Sequence, residues 1–122
     1  MKLITNNKSF LAYKKIPVEF IDGSYLDVFT RVRDYVHKNY KVVTHPLYGN
    51  IPPTTTLFRS VVIEEGGDSI DLESLELIEN SIIKVERIIK TDKVKEINDD
   101  IEKDLEFIDY TLISETLENI IL

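Results

Sequence analysis

The apolar positions of the first 65 residues fall into short stretches bounded by turn residues, a pattern typical of β-strands. Four strands are predicted, over residues 2–5, 18–21, 41–44 and 58–64. The first ends at the turn-forming pair Asn6 and Asn7, and the second ends at Asp22, Gly23 and Ser24. The connection before the fourth strand is about a dozen residues long and has no evident helix, so both directions are open for that strand. We favour the antiparallel one.

Segments whose apolar residues have helical spacing lie between the first three strands. Ser9 is placed to cap a short helix that carries Phe10. Ser24, with Asp27 three positions later, approximates a capping box and opens a helix that runs to about residue 40. Strand–helix–strand units of this kind are right-handed crossovers between parallel strands. The first three strands should therefore end at the same edge of the sheet.

Two long acidic helices are predicted in the C-terminal half of the chain. The first begins at a cap on Asp68, Ser69 or Asp71 and ends near residue 90, and the second covers about 93–120. Each has an apolar seam at spacings of three and four residues: Leu75, Ile78, Ile82, Val85 and Ile89 in the first, and Ile97, Ile101, Leu105, Ile108 and Leu112 in the second. We expect an αα-hairpin in which one helix covers the sheet and the other lies outside it. Because this apolar surface exceeds what one small sheet can cover, we also expect a homodimer through these helices.

Together these elements predict an α/β fold in the order βαβαββαα, with a small, three-layer-like arrangement around a mainly parallel sheet of about four strands. At 122 residues the chain is most simply one domain, 1–122, in which residues 1–67 form the sheet and residues 68–122 the C-terminal helices. No internal repeat or low-complexity linker divides it.

Composition narrows the classes of function. With 43% apolar and 30% charged residues, no apolar run of membrane-spanning length and no apolar leader, the chain is expected to be cytoplasmic, without a membrane partner. The absence of cysteine excludes disulfides, thiol catalysis and thiolate metal sites. Residues 1–60 carry nine Lys or Arg and four Asp or Glu, whereas residues 61–122 carry six and eighteen. The resulting net charge of −7 disfavours nucleic-acid binding.

Polar residues converge where ligands bind in α/β proteins, beyond the carboxyl ends of the parallel strands. The helix start at Ser24 offers N–H groups and a positive dipole end to an anion, and Arg59 could clamp a carboxylate or phosphate. We therefore expect a small anionic ligand, no cofactor and no metal, since no Gly-rich nucleotide motif or ligand cluster is present. The predicted ligand-binding residues are Asn6, Asn7, Asp22, Gly23, Ser24, Thr44, His45, Tyr48, Gly49, Asn50, Arg59 and Ser60.

The segment HPLYGNIPP, residues 45–53, contains the candidate for acid–base chemistry. His45 has a side chain that titrates near neutrality, and Asp22 at another strand end could orient it. A histidine before proline is more often a hydrogen-bonded structural residue, so catalysis is left open and a non-catalytic role is favoured. Tyr48 could stack on a ligand or cover the edge of the sheet.

Several stretches of the chain resemble the GrdX family of small bacterial proteins. They are KLITNN, VEFIDGSYLDVFTRVRDYVHKNYK, THPLYGNIPPTTTLFRSVVI and DLESLELIENSI, which extend to about residue 90. A His-Pro-Leu-x-Gly stretch followed by a proline and a basic–Ser pair is typical of that family. The matching residues are His45, Pro46, Leu47, Gly49, Arg59 and Ser60, with arginine in the basic position where lysine is at least as frequent.

The resemblance implies a cellular setting and no established reaction. Members of the GrdX family are encoded beside genes for glycine, sarcosine or betaine reductase, which are selenoprotein systems of amino-acid-fermenting anaerobes. The leading interpretation is an accessory or small-anion-binding protein of that metabolism. Two alternatives stay open: a small enzyme that uses His45 as general acid or base with Arg59 stabilising negative charge, and a structural partner that docks a reductase-system protein through the C-terminal helices.

Overall fold

The computed structural model describes residues 1–47, 58–91 and 99–121, which form one sheet and the helices around it. The strands are β1 (Lys2–Thr5), β2 (Val18–Phe20), β3 (Tyr40–Val42) and β4 (Ser60–Glu65). The helices are α1 (Tyr25–Val36), α2 (Leu72–Thr91) and α3 (Asp99–Ile121), with a short 3-10 helix at Lys8–Ala12 between β1 and β2. The predicted order of elements is confirmed, and the first predicted helix is a 3-10 helix.

The sheet has the strand order β2-β1-β4-β3, because β4 inserts between β1 and β3. Its antiparallel direction is confirmed, since it pairs antiparallel with both neighbours. Although β1, β2 and β3 run in the same direction, only β1 and β2 are paired with each other in parallel. The prediction of a mainly parallel sheet is therefore wrong: the sheet has one parallel and two antiparallel pairs, because the intervening strand returns in the opposite direction.

Both faces of the sheet are apolar and each face has its own helical cover. Successive residues of a strand point to opposite faces, and Val61, Val62 and Ile63 of β4 are all buried. Val61 and Ile63 pack against α1 and α2, whereas Val62 packs with Ile113 and Leu117 of α3. The predicted αα-hairpin is wrong for this reason, because a strand that is buried on both faces needs α2 and α3 on opposite sides.

The predicted capping box at the start of α1 is confirmed. The Ser24 side chain accepts a hydrogen bond from the backbone N–H of Asp27, and the Asp27 carboxylate accepts one from the backbone N–H of Ser24. The helix ends earlier than predicted, at Val36, and Asn39 follows in the left-handed region with φ 71°. Asparagine tolerates that conformation and so ends the helix before β3. The 3-10 helix is capped by Asn7, whose side chain accepts from the Ser9 N–H, and not by Ser9 as predicted.

The buried face of α3 differs from the predicted seam. Ile101, Ile108 and Leu112 are exposed, and Ile97 lies outside the described residues. The buried stripe follows a spacing of four residues and consists of Leu105, Asp109, Ile113 and Leu117. A search for apolar periodicity misses it because its second member is an aspartate. In α2 the predicted seam is correct for Ile78, Ile82 and Val85, which are buried, and Leu75 is partly buried; the Ile89 side chain lies outside the described residues.

The outer edge of β3 is closed by a side chain of α2. The Val42 N–H donates a hydrogen bond of 2.9 Å to the Ser74 hydroxyl, which itself donates one of 2.6 Å to the Asp71 carboxylate. The Ser74 N–H also donates to Asp71, so the aspartate caps the first turn of α2. These hydrogen bonds attach the start of α2 to the strand that precedes His45.

The position of the buried stripe on α3 can be tested with two leucines five residues apart. Leu117→Ala should lower the free energy of unfolding by about 3 kcal/mol, because it empties a fully buried site. Leu112→Ala should cost less than about 1 kcal/mol in the monomer, because Leu112 is 38% exposed in the single chain. Both variants keep the same helix propensity, so urea denaturation followed by circular dichroism isolates the packing difference. Equal losses would contradict the observed register of α3.

Candidate functional site

The carboxyl end of β1 is tied to its neighbours by the side chain of Asn6. Its carbonyl oxygen accepts a hydrogen bond of 2.9 Å from the Arg59 N–H, and its amide donates one of 3.1 Å to the Gly23 carbonyl. One side chain therefore joins the end of β1, the start of β4 and the turn between β2 and α1. Asn6 is buried in this position, so the role that the structure supports for it is structural.

Asn7 belongs to a second polar group on the opposite face of the sheet, which we call the Asp109 cluster: Thr5, Asn7, Ser60 and Asp109. Asp109 accepts hydrogen bonds from the Ser60 hydroxyl at 2.7 Å and from the Asn7 amide at 2.9 Å. When Asp109 is ionised, the Ser60 proton is used there and Thr5 is the donor in the 2.7 Å contact between the two hydroxyls, either of which can donate. Thr5 in turn accepts from the Asn7 N–H at 2.9 Å. All four side chains are buried, and they attach the middle of α3 to β1 and β4.

Burial changes the acid–base chemistry of Asp109. Removal from water disfavours the charged carboxylate and raises its pKa to about 7, and the Asn7 hydrogen bond only partly opposes this. A carboxyl group thus occupies the strand ends where the sequence predicts a bound anion, and α3 of the same chain supplies it. Asp109 was missed by sequence reasoning. The available signal was an aspartate at a spacing of four from Leu105 and Ile113 in an apolar stripe.

Arg59 and Ser60 point to opposite faces, although they are adjacent in the chain. The strand alternation that directs Ser60 toward α3 directs Arg59 toward α1, where Tyr25 lies. Arg59 is 3% exposed, and burial lowers the pKa of its guanidinium, which the Tyr25 hydroxyl partly counteracts. Burial also raises the pKa of Tyr25. The basic–Ser pair therefore does not form one anion clamp in this structure.

The N-terminus of α1 is occupied by its own capping box. The Ser24 N–H donates to the Asp27 carboxylate at 2.9 Å, and the Asp27 N–H donates to the Ser24 hydroxyl at 3.3 Å. Gly23 makes room for this arrangement, because a Cβ atom there would collide with the Asp27 carboxylate. Asp22, Gly23 and Ser24 are all exposed. A carboxylate of the protein already lies at the helix end to which the sequence analysis assigned an external anion.

His45 lies at the far edge of the sheet from Asp22. β2 and β3 are the two edge strands, so about three strand spacings, or roughly 14 Å, separate their ends. Asp22 is therefore not placed to orient His45. Instead His45 Nδ1 accepts a hydrogen bond of 3.0 Å from the Leu47 N–H, which places the proton of a neutral ring on Nε2. The neighbouring Thr44 is buried and accepts from the Val62 N–H at 2.9 Å.

Two cavities meet at His45. The larger, which we call the α2 cavity, has a volume of about 460 Å³. Its described lining is His45, Leu47, Glu73, Glu76, Leu77, Asn80, Ser81 and Lys84. The smaller, the α3 cavity, has a volume of about 310 Å³, and its described lining is Val43, Thr44, His45, Leu112, Ile113, Thr116 and Ile120. Of the predicted site residues, His45 and Thr44 border these cavities, and Asn6, Asp22 and Ser24 are not in the described lining.

The remaining predicted site residues are Tyr48, Gly49 and Asn50, which lie outside the described residues. Within the described ranges, no group of three or more His, Asp or Glu side chains could hold a metal ion. The same ranges contain no helix whose length and apolarity would let it cross a membrane.

The role of Asn6 can be tested by removing its side chain. Asn6→Ala should lower the free energy of unfolding by about 2 kcal/mol, because it leaves the Arg59 N–H without the amide oxygen that it bonds at 2.9 Å. Asn80→Ala is the matched control: Asn80 is exposed on α2, and alanine is a better helix former. Urea denaturation measures both. A loss of unfolding free energy below about 0.5 kcal/mol for Asn6→Ala would show that the Asn6 hydrogen bonds do not stabilise the fold.

Comparison with known proteins places the chain in a family. The family model described as GrdX-like protein matches residues 2–118, nearly the whole chain and more than the first 90 residues that carry the visible resemblance. The match includes α3 as far as residue 118 and therefore Asp109. No curated protein and no solved structure matches. The chain belongs to the GrdX-like protein family.

Proposed function

We propose that the protein is a non-catalytic accessory component of amino-acid reductase metabolism that binds a small ligand in the α2 cavity. Membership of the GrdX-like family is consistent with an association with glycine reductase systems. The observation that carries the proposal is the α2 cavity itself, in which His45 faces a row of polar and ionisable side chains on one helix. Its volume of about 460 Å³ is within the range of small-molecule sites.

The geometry favours the α2 cavity over the strand ends near Asn7. The Asp109 cluster is buried, and its donors already bind a carboxyl group of the chain. The α2 cavity is open to solvent, and its lining follows one face of α2, at positions 73, 76, 77, 80, 81 and 84. Residues at these spacings of three and four project to the same side of a helix. A ligand there would contact one helix together with His45 and Leu47.

The charges along this face favour a ligand that carries both signs of charge over a simple anion. Glu73 and Glu76 lie near the start of α2, and Lys84 lies about two turns after Glu76. At 1.5 Å per residue the Cα atoms of Glu76 and Lys84 are about 12 Å apart, and the longer Lys84 side chain reaches back toward the helix N-terminus into this gap. An ammonium group would be stabilised at the glutamates and a carboxylate at Lys84. Amino acids and N-methylated amino acids have this chemistry.

Ligand binding can be measured by thermal shift and calorimetry. At ten times its dissociation constant, glycine, sarcosine or betaine should raise the Tm by about 5 °C, and inorganic phosphate should raise it less. Glu76→Gln and Lys84→Met should each weaken binding about five- to tenfold, because each removes one charge contact at an exposed site. Lys103→Met, at an exposed position of α3 outside the described cavity lining, is the control.

Two outcomes would overturn the proposed ligand site. The first is that none of the three zwitterions raises the Tm. The second is binding whose affinity is the same in Glu76→Gln, Lys84→Met and the Lys103→Met control, since such a ligand would not be recognised by the charges of the α2 cavity.

A second candidate function is self-association through α3. Ile101, Ile108 and Leu112 lie on one stripe beside its buried face, and Phe107 is 68% exposed. Apolar groups at this spacing are typical of helices that pack against another helix. A second copy of the chain is the proposed occupant, since two identical stripes are apolar and complementary in length.

Self-association can be tested by light scattering on the full chain. The purified protein should be a dimer at micromolar concentration, and Ile108→Glu should convert it to a monomer, because the new charge would be buried in the interface. Lys103→Glu introduces the same side chain at an exposed position of α3 away from the stripe and should leave the dimer intact. A monomeric wild-type protein would exclude this function.

A further inference from the structure

The middle of α3 is attached to the sheet by polar contacts rather than by apolar packing alone. Asp109 binds Ser60 of β4 and Asn7 beyond β1, and the same Asn7 amide donates to the Glu106 carbonyl at 2.9 Å. The Ser9 hydroxyl donates to the Glu106 carboxylate at 2.7 Å. Leu105 on one side of Asp109 and Ile113 and Leu117 on the other complete the buried stripe. The position of α3 thus depends on a buried carboxyl group at its centre.

We propose that the Asp109 cluster is a proton-controlled latch, which holds α3 on the sheet when Asp109 is protonated and loosens it when Asp109 is ionised. Asp109 is 5% exposed, and both of these donors, Ser60 and Asn7, are buried uncharged side chains. Their hydrogen bonds favour the carboxylate, but two uncharged donors replace only part of the hydration that burial removes from it, so burial favours the neutral acid. Release of α3 returns the carboxyl group to water and relieves this cost for the ionised form only.

The direction of the pH dependence follows from the two states. Burial raises the pKa of Asp109 from 3.8 to about 7 when α3 is docked. A raised pKa in the docked state means that docking is strongest below about pH 4 and weakens as the pH rises toward about 7, above which the effect levels off. Over that range the equilibrium constant for release rises at most tenfold per pH unit.

Among the residues that the structure describes, the other titratable side chains on the helices packed around the latch belong to α3 and to the 3-10 helix with the residue that caps it. On α3 the partly buried ones are Glu102, Glu106 and Tyr110, and the 3-10 helix and its cap contribute Lys8 and Tyr13. Burial raises the pKa of Tyr13, so this phenol stays neutral throughout the range of the latch. From β1 and β4 the groups that face Asp109 are the uncharged Thr5, Asn7 and Ser60, because Arg59 points to the other face.

Release of α3 would change the α3 cavity, because this helix forms one of its walls. Leu112, Ile113, Thr116 and Ile120 face Val43, Thr44 and His45 across it. Loosening of the helix would widen this apolar cavity and uncover Phe10 and Val62, which pack against Ile113 and Leu117. The latch therefore links the protonation of a buried carboxyl group to the exposure of an apolar surface next to His45.

Hydrogen exchange of the full-length protein, read by mass spectrometry between about pH 5 and pH 8, tests the latch. After correction for the intrinsic pH dependence of exchange, the opening constant of α3 around Asp109 should rise by up to about a hundredfold. The α1 amides are the internal reference, because α1 packs on the other face of the sheet. In Asp109→Asn, which mimics the protonated acid, the α3 opening constant should not change with pH. Asp104→Asn alters an exposed aspartate of the same helix and should behave as the wild type.

Two results would overturn the latch: wild-type α3 and α1 with the same pH dependence, or Asp109→Asn that keeps the wild-type dependence of α3. The first comparison uses the wild-type protein alone, so it holds even where Asp109→Asn folds poorly. His45→Gln should keep the wild-type dependence; its loss in that variant would assign the effect to the histidine bordering the α3 cavity.

Discussion

The run Val61-Val62-Ile63 in β4 is the constraint on which the arrangement of the other elements depends. Its three side chains are buried on alternating faces of a sheet, so neither face can be left to solvent. α1 and α2 provide one cover, and the 3-10 helix and α3 provide the other. α2 and α3 must therefore lie on opposite faces, and the order of layers follows from one strand.

The same constraint explains why the polar strand ends are buried. Once α3 covers the second face, the turn after β1 lies beneath a helix, and its backbone and side-chain polar groups need partners inside the protein. Asn6 supplies them toward β4 and the β2–α1 turn, and Asn7 supplies them toward α3. Consecutive asparagines thus serve opposite faces of the sheet. Residues that are typical of solvent-exposed turns here connect the sheet to the layers on both of its faces.

Local signals in the sequence predicted most of the elements. Features that depend on contacts between distant residues could not be predicted from such signals. The capping box at Ser24 and Asp27 depends only on residues three positions apart, so it could be recognised directly. The strand order could not, because the insertion of β4 between β1 and β3 depends on pairing between distant segments. The buried stripe of α3 escaped because Asp109 interrupts its apolar pattern, and its partners Asn7 and Ser60 are far away in the chain. Among the candidate site residues, His45 borders cavities, whereas Asn6, Arg59 and Ser60 are buried in the protein interior.

The hydrogen bond from the Val42 N–H to the Ser74 hydroxyl has a consequence for how copies of the protein meet. An edge strand with free backbone groups is a template for strand addition, through which sheets extend into ordered aggregates. Ser74 occupies one such donor of β3, and the exposed Lys41 adds a charge beside it. Growth of the sheet past this edge would require a hydroxyl to be displaced and a charge to be desolvated. At the β3 edge a single serine thus favours a dispersed protein over a fibrillar one.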